Sequence, residues 1–258
     1  MITHKKTSVF FSVLLIIFVV LYLKQSIALG YIFLLLTLWL LTIVWGSFNI
    51  GSNYHLKAHC HNSATTEKKI ALTFDDGPTE FTPQFLEVLE RYQAPATFFC
   101  IGNRIEKNPG IIRQIVAKGH TIGNHSYSHS PFFDFYNTPK ISAELQKTDD
   151  LILKHTGKKP ILFRPPYGVT TPSIAKALKK SGHHVIGWNM RSLDGILTDK
   201  DKILKRLQKQ ITPGGIVLLH DTSSHSYWVL EQFLNYLQQN NYTVVGLEEL
   251  LNLNAYEN

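Results

Sequence analysis

Ile70-Ala71-Leu72-Thr73-Phe74, followed at once by Asp75-Asp76-Gly77-Pro78, decides the fold. The run is apolar and β-prone with no charged alternation, which is the pattern of a strand covered on both faces. It ends on two carboxylates and a turn. Neighbouring strand-end residues point in different directions, so two adjacent aspartates can do two jobs, one ligating a metal and one acting as a base. Gly77-Pro78 turns the chain, and Thr79 is placed to cap the next helix. Taken alone, Asp-Asp-Gly-Pro is equally an ordinary turn.

Outward from this strand, short apolar runs alternate with helical patterns. After the strand at 69–74 come an amphipathic helix over 81–92, a strand over 96–101 and a helix near 111–118. A strand near 121–123, a helix near 141–155, a strand at 162–164 and a helix at 172–181 follow. Strand–helix pairs recur at 185–188 with 203–210 and at 216–219 with 229–239, before a last strand at 242–245 and a terminal helix. Such alternation implies βα units in a parallel barrel or sheet. In these folds the chemistry sits just past the strand C-termini. The other polar motifs all begin at or just after strand ends.

His125-Ser126-Tyr127-Ser128-His129 places two imidazoles four residues apart, which on one helical turn would share a face. With Asp76 they form a His₂Asp set that leaves coordination positions open, as a catalytic zinc site requires. Arg164 stands at a strand end before Pro165-Pro166-Tyr167-Gly168. Its guanidinium can grip Asp75 and hold it ionised. Pro166 has no N–H, so Tyr167 is the better backbone donor to an oxyanion. His220 ends the apolar run Ile216-Val217-Leu218-Leu219, and Asp194 is available from the neighbouring strand to raise its pKa, which suits a general acid.

The first fifty residues differ in composition. Residues 9–23 are apolar but for Ser12, and 27–45 carry no charge. Neither run shows a polar helical face, and both approach the ~20 residues that cross a bilayer. A transmembrane hairpin with segments at about 8–23 and 27–46 is expected, then a linker over 51–67 and the main domain over 68–252. Lys5, Lys6 and Ser26-Ile27-Ala28 also permit a cleaved signal peptide, which would leave a second apolar helix at the new terminus. Lysines on both sides of the hairpin favour cytoplasmic tails.

The chain has 258 residues and a net charge of +7, with no block of like charges, so no nucleic-acid partner is expected. Cys60 and Cys100 are too few for a disulfide framework and match no zinc spacing; Cys100 reads as a buried filler. Oligomeric state is left open.

With all five motifs in order, the last being Leu218-Leu219-His220-Asp221, residues 68–252 resemble the polysaccharide deacetylase domain of chitin, peptidoglycan and nodulation-factor deacetylases and some acetylxylan esterases. The resemblance implies a distorted seven-stranded (β/α) barrel. It implies Asp75 as base, Asp76, His125 and His129 as ligands of a divalent metal (zinc first, cobalt or manganese otherwise), and Arg164 as orienter of the base. Asp194 would be the partner of the acid His220, and Leu218 would line the acetyl-methyl pocket. A metal-bound water would then remove acetyl groups from N-acetylated glycans; the alternatives are an O-acetyl esterase and a non-catalytic glycan-binding protein. Such substrates lie mostly outside the cytoplasmic membrane, so an extracytoplasmic catalytic domain is expected despite the lysines. One departure is plain. The fourth motif of the family runs Asp, two residues, Asp-Trp; here Arg191 replaces the first Asp and Gly195 the Trp, removing an apolar wall of the pocket.

Overall fold

The computed structural model describes residues 2–257. Two long helices come first, α1 (His4–Leu23) and α2 (Gly30–Phe48). The strands are β1 (Ala58–His59), β2 (Lys69–Asp75), β3 (Ala96–Cys100), β4 (Thr121–Asn124), β5 (Leu162–Phe163), β6 (His184–Ile186), β7 (Met190–Arg191), β8 (Gly215–His220) and β9 (Thr243–Val244). Between and after them run α3 (Thr82–Arg91), α4 (Gly102–Lys107), α5 (Pro109–Ala117), α6 (Thr138–Thr156), α7 (Pro172–Ser181), α8 (Lys200–Gln210), α9 (Ser224–Gln239) and α10 (Leu247–Leu251).

The strands form one curled parallel sheet in the order β1-β6-β5-β4-β3-β2-β8-β7, with β9 beside the start of β2. The seven strands read from the sequence are all present; β1 and β7, two residues each, are additional. The expected seven-stranded barrel is therefore corrected to a nine-stranded sheet whose end strands, β1 and β7, do not pair with each other among the described residues. The segment 51–67, polar enough to read as a linker, contributes β1, which pairs with β6.

Period-two geometry sorts β2 into two layers. Ile70, Leu72 and Phe74 point outward into a core shared with Phe85, Leu89, Phe98, Val217 and Phe233, beneath α3 and α9. Ala71 points inward with Phe99, Leu162, Ile186 and Ile216. The next inward positions are Thr73 and Asp75, both buried, so the inner layer turns polar as it reaches the C-terminal rim. Register completes the rim: Asp75 lies opposite Phe99 and His220, and Cys100 opposite Asn124. Cys60 and Cys100 are both free.

α1 and α2 pack on each other, with Phe11 stacked on Trp39 at 5.7 Å, and otherwise present exposed apolar side chains such as Phe10, Ile16, Phe33 and Leu40. At 20 and 19 residues, both are long and apolar enough to cross a membrane. Hydrogen bonds from His4 N–H to the Tyr54 carbonyl (2.8 Å) and from Thr170 N–H to the Ser47 carbonyl (3.0 Å) tie their free ends to the domain.

Candidate active site

All nine residues singled out by sequence occupy one end of the sheet, and a cleft of about 240 Å³ there is lined by Asp75, Asp76, His125, His129, Tyr167, Leu218 and His220. Asp194 and Arg164 stand behind this lining, each hydrogen-bonded to a residue in it.

Asp76 leaves β2 with φ of 73°, a left-handed turn that separates its carboxylate from that of Asp75. Its Oδ1 lies 3.6 Å from His125 Nε2 and 3.3 Å from His129 Nε2. The donor atoms of the three residues fall within 4.8 Å of one another. Asp76 Oδ1 is buried without a hydrogen-bond partner, as a carboxylate waiting for a cation would be. His125 Nδ1 meets the Arg164 carbonyl at 2.7 Å, so that nitrogen carries the proton and Nε2 presents a lone pair. Burial, reinforced by the neighbouring His125, pushes His129 down to about 4 and keeps it neutral. Burial also pushes the Asp76 carboxyl up, but His125, His129, His220 and Arg104 together hold it below its ordinary value. The donor set fits a divalent metal.

The two histidines do not share a helical turn. The expectation from their four-residue spacing is corrected: 125–130 is a loop after β4, with Ser126 at φ 62° and His129 at φ 46°. Side chains hold it in this shape. Asn124 Oδ1 accepts from Ser126 N–H (2.8 Å), and Ser126 Oγ accepts from His129 N–H (3.1 Å). Glu144 on α6 accepts from the N–H groups of Tyr127 and Ser128 at 3.0 and 2.7 Å. These side-chain acceptors, two local and one on α6, satisfy the backbone in place of a helix.

Asp75 faces the other side of the cluster. Arg164 Nη1 donates to its Oδ1 at 2.7 Å, and its Oδ2 is 3.9 Å from His125 Nε2. Arg164 is fully buried, and each of its nitrogens has a partner: Thr73 Oγ1, Asp75, and the carbonyls of Ile186 and Gly187. Phe99 and Trp188 stack on the guanidinium. Burial lowers the Arg164 pKa, and the Asp75 charge opposes that. With Thr73, Arg164 and the backbone satisfying one another, the ion pair is held in a single geometry.

On the opposite wall, His220 Nδ1 bonds Asp194 Oδ1 at 2.8 Å, while Asp194 Oδ2 accepts from His220 N–H at 2.9 Å. Ser192 donates to the same carboxylate at 2.6 Å. Burial disfavours the His220 imidazolium, but the Asp194 hydrogen bond and charge outweigh it and push the pKa up to about 9. Burial likewise raises Asp194, and the His220 contacts more than reverse it. The ring is thus a protonated group at neutral pH, facing the cleft.

Tyr167 has φ of 58° and Gly168 of 70°, a sharp turn that puts Tyr167 into the cleft lining with its ring 4.8 Å from that of His129. Leu218 supplies a nearly buried apolar surface. Where the family motif has Trp, a Cβ on Gly195 would lie 3.3 Å from His220 Cε1, so the absent indole opens the cleft beside the acid; Arg191 and the exposed Ile196 line the same side. Sequence reading missed Glu144, Arg104 and Ser192. It also gave no role to Asp221, which is buried under Gly77, accepts from Thr82 Oγ1 at 2.5 Å and is pushed up by burial to about 7. Arg104 Nη1 holds the Asp76 carbonyl at 2.5 Å. Only Ser192, two residues before Asp194, carried a local signal, that of a side chain capping its own turn.

A parallel half-barrel with a His₂Asp cluster between an Asp–Arg and an Asp–His pair defines a hydrolase-type site. Comparison with known proteins agrees with it. The polysaccharide deacetylase family model matches residues 62–186. The chain is 35% identical over 191 residues to a peptidoglycan-N-acetylglucosamine deacetylase of Bacillus cereus, covering 72% of this chain and 89% of that one. It is 34% identical over 188 residues to the peptidoglycan-N-acetylglucosamine deacetylase PgdA of Listeria monocytogenes, covering 72% of this chain but only 40% of the relative's length. Among solved structures, the Bc1960 peptidoglycan N-acetylglucosamine deacetylase superposes with a TM-score of 0.74 at 29% identity, over 81% of this chain and 99% of that one. A pseudoenzyme of carbohydrate esterase family 4 from Bacillus anthracis gives 0.68 at 30% identity, over 72% and 66%. The chain belongs to the polysaccharide deacetylase family.

Proposed function

We propose that this chain is a membrane-anchored hydrolase that removes the acetyl group from N-acetylated sugars of a peptidoglycan-like or chitin-like glycan. The observation that carries the reading is the placing of an Asp–Arg pair and an Asp–His pair on opposite walls of one cleft. Asp75 is braced by a buried arginine on one side, and His220 is held protonated by Asp194 on the other. A carboxylate held by an arginine, facing an imidazole held by a second carboxylate, offers a base and an acid to one substrate. Intact donors at all three ligand positions favour an enzyme over a glycan-binding protein with a decayed site.

Asp76, His125 and His129 would hold the metal, zinc by preference for a His₂Asp set. When bound, it supplies Lewis acidity, polarising the acetamide carbonyl and acidifying the attacking water. Asp75 takes the proton of that water, and Arg164 keeps the carboxylate aimed. The Tyr167 N–H donates to the oxygen on which negative charge develops. His220 delivers its Nε2 proton to the departing nitrogen, whose bond to the acetyl carbon breaks, and acetate and a free amine leave. Leu218 receives the acetyl methyl group, and Gly195 leaves the sugar more room than a tryptophan would.

Mass spectrometry of N-acetylglucosamine oligomers and peptidoglycan fragments incubated with the full chain tests the reading. Loss of about 42 Da per acetyl group with release of acetate is the expected result. No mass change in either substrate with metal-loaded protein would overturn it.

The exposed apolar surfaces of α1 and α2 support anchoring, and the extracytoplasmic location of acetylated wall polymers supports an outward-facing domain. A phosphatase fusion after Asn258 should be active; an inactive phosphatase with an active β-galactosidase fusion at the same point would place the domain inside.

A further inference from the structure

Among the described residues after α2, five large apolar side chains are exposed: Phe132, Phe135, Leu153, Tyr167 and Ile196. Leu153 is on α6; the other four stand on loops that follow the C-terminal ends of β4, β5 and β7. Tyr167 and Ile196 line the cleft itself, and Phe132 and Phe135 are 66% and 86% exposed. Exposed apolar groups gathered on one face mark an interaction surface rather than chance scatter.

The two apolar helices join the domain at this same rim. Ser47, in the last turn of α2, accepts the N–H of Thr170, two residues beyond Gly168 of the cleft. Ile50 then packs into a core cluster with Phe133, Phe163 and Ile174. Phe133 is fully buried between the exposed Phe132 and Phe135, so the hairpin root and the phenylalanine loop share one patch of core. The start of α1 is held there too, by the hydrogen bond between Thr7 Oγ1 and the Tyr54 hydroxyl at 2.5 Å and by that from His4 N–H to the Tyr54 carbonyl. Trp45 and Phe48 stand exposed at the end of α2, Lys5 and Lys6 lie in the first turn of α1, and exposed Lys57 follows. Aromatic rings with ammonium groups at one level suit a lipid headgroup layer, the lysines favouring anionic lipid.

We propose that Phe132 and Phe135 insert into the headgroup region of the bilayer that holds α1 and α2. The cleft mouth then lies against the membrane, and the glycan it receives is one held at the lipid surface. The partner is a phospholipid bilayer, chosen over a second copy because the patch is continuous with the root of the two apolar helices. The inference rests on the membrane-anchor reading above.

The test uses the full chain in nanodiscs of phosphatidylethanolamine and phosphatidylglycerol containing a headgroup-nitroxide lipid. In a Cys60→Ala background, with Cys100 fully buried, bimane is attached to Phe132→Cys, Phe135→Cys or the control Lys118→Cys, which precedes β4 at the opposite end of the sheet. Nitroxide quenching should be about threefold or more greater at 132 and 135 than at 118. Equal quenching at the three positions, in chains that float with the lipid, would overturn this inference and leave the anchor standing. Should the 132 and 135 labels then become shielded only as the chain dimerises, the face belongs to a second copy. Failure of the unmodified chain to float with lipid would overturn the anchor and this inference together.

Discussion

His125→Ala should reduce bound zinc from one per chain to below about a tenth and slow deacetylation by roughly a thousandfold or more, since both the Lewis acid and the activated water depend on the ligand set. His125 has the most constrained position of the three donors. It is nearly fully buried, its backbone N–H continues the β3–β4 pairing to Cys100 O at 3.0 Å, and its Nδ1 is engaged by the Arg164 carbonyl. Its removal also leaves that carbonyl unsatisfied, a cost of about 1–3 kcal/mol. At roughly 2–4 °C per kcal/mol for a domain of this size, the metal-free variant should melt several degrees lower yet remain folded. His129→Ala separates the two effects, because the His129 ring is more exposed and rests on Tyr167. It should lose metal with a smaller fall in melting temperature. A double His125→Ala/His129→Ala protein that still binds stoichiometric zinc would show that the metal lies elsewhere.

The strands that carry this chemistry were legible because their cores are local. Ile70, Leu72 and Phe74 declare a buried strand by composition, and Asp75-Asp76 must then fall at its end. The polar motifs after 121–124, 162–163 and 215–220 follow the same logic, which is why one cleft collects all of them. What escaped depends on contacts between distant residues. A four-residue histidine spacing suits a helix, and the loop at 125–130 is decided instead by Glu144, sixteen or more residues away on α6. β1 and β7 are too short to leave a periodic signal and exist because β6 and β8 offer them edges. Arg104 holds the Asp76 carbonyl from α4, a helix too short to be read from its pattern. Asp221 stood in plain view beside His220, but its burial under Gly77 follows only from how β8 meets the turn after β2.

Asp194→Asn should move the basic limb of the pH–rate profile from near pH 9 to the region of an ordinary histidine or below. In the proposed mechanism His220 serves as the acid only while protonated, and Asp194 is the largest influence holding its pKa at about 9 against burial. The asparagine is nearly isosteric, yet it removes the charge and turns one of two acceptors into a donor. The wild-type carboxylate accepts from both His220 Nδ1 and His220 N–H, so one of these contacts becomes donor against donor. With a pKa of about 9, nine-tenths of His220 is protonated at pH 8; at the reference value of about 6.5 only about 3% is, so the rate at pH 8 should fall about thirtyfold. At pH 6 the loss should be much smaller. Thermal melts supply a readout independent of turnover. Because the folded pKa of His220 is raised above its unfolded value, the pair's stabilisation is complete below about pH 6.5 and is lost as pH rises through about 9. That slope between pH 6.5 and 9 should flatten in Asp194→Asn. A basic limb and a melting slope both unchanged in the variant would remove Asp194 from any role in tuning the acid and leave it a structural partner of Ser192 in the loop after β7.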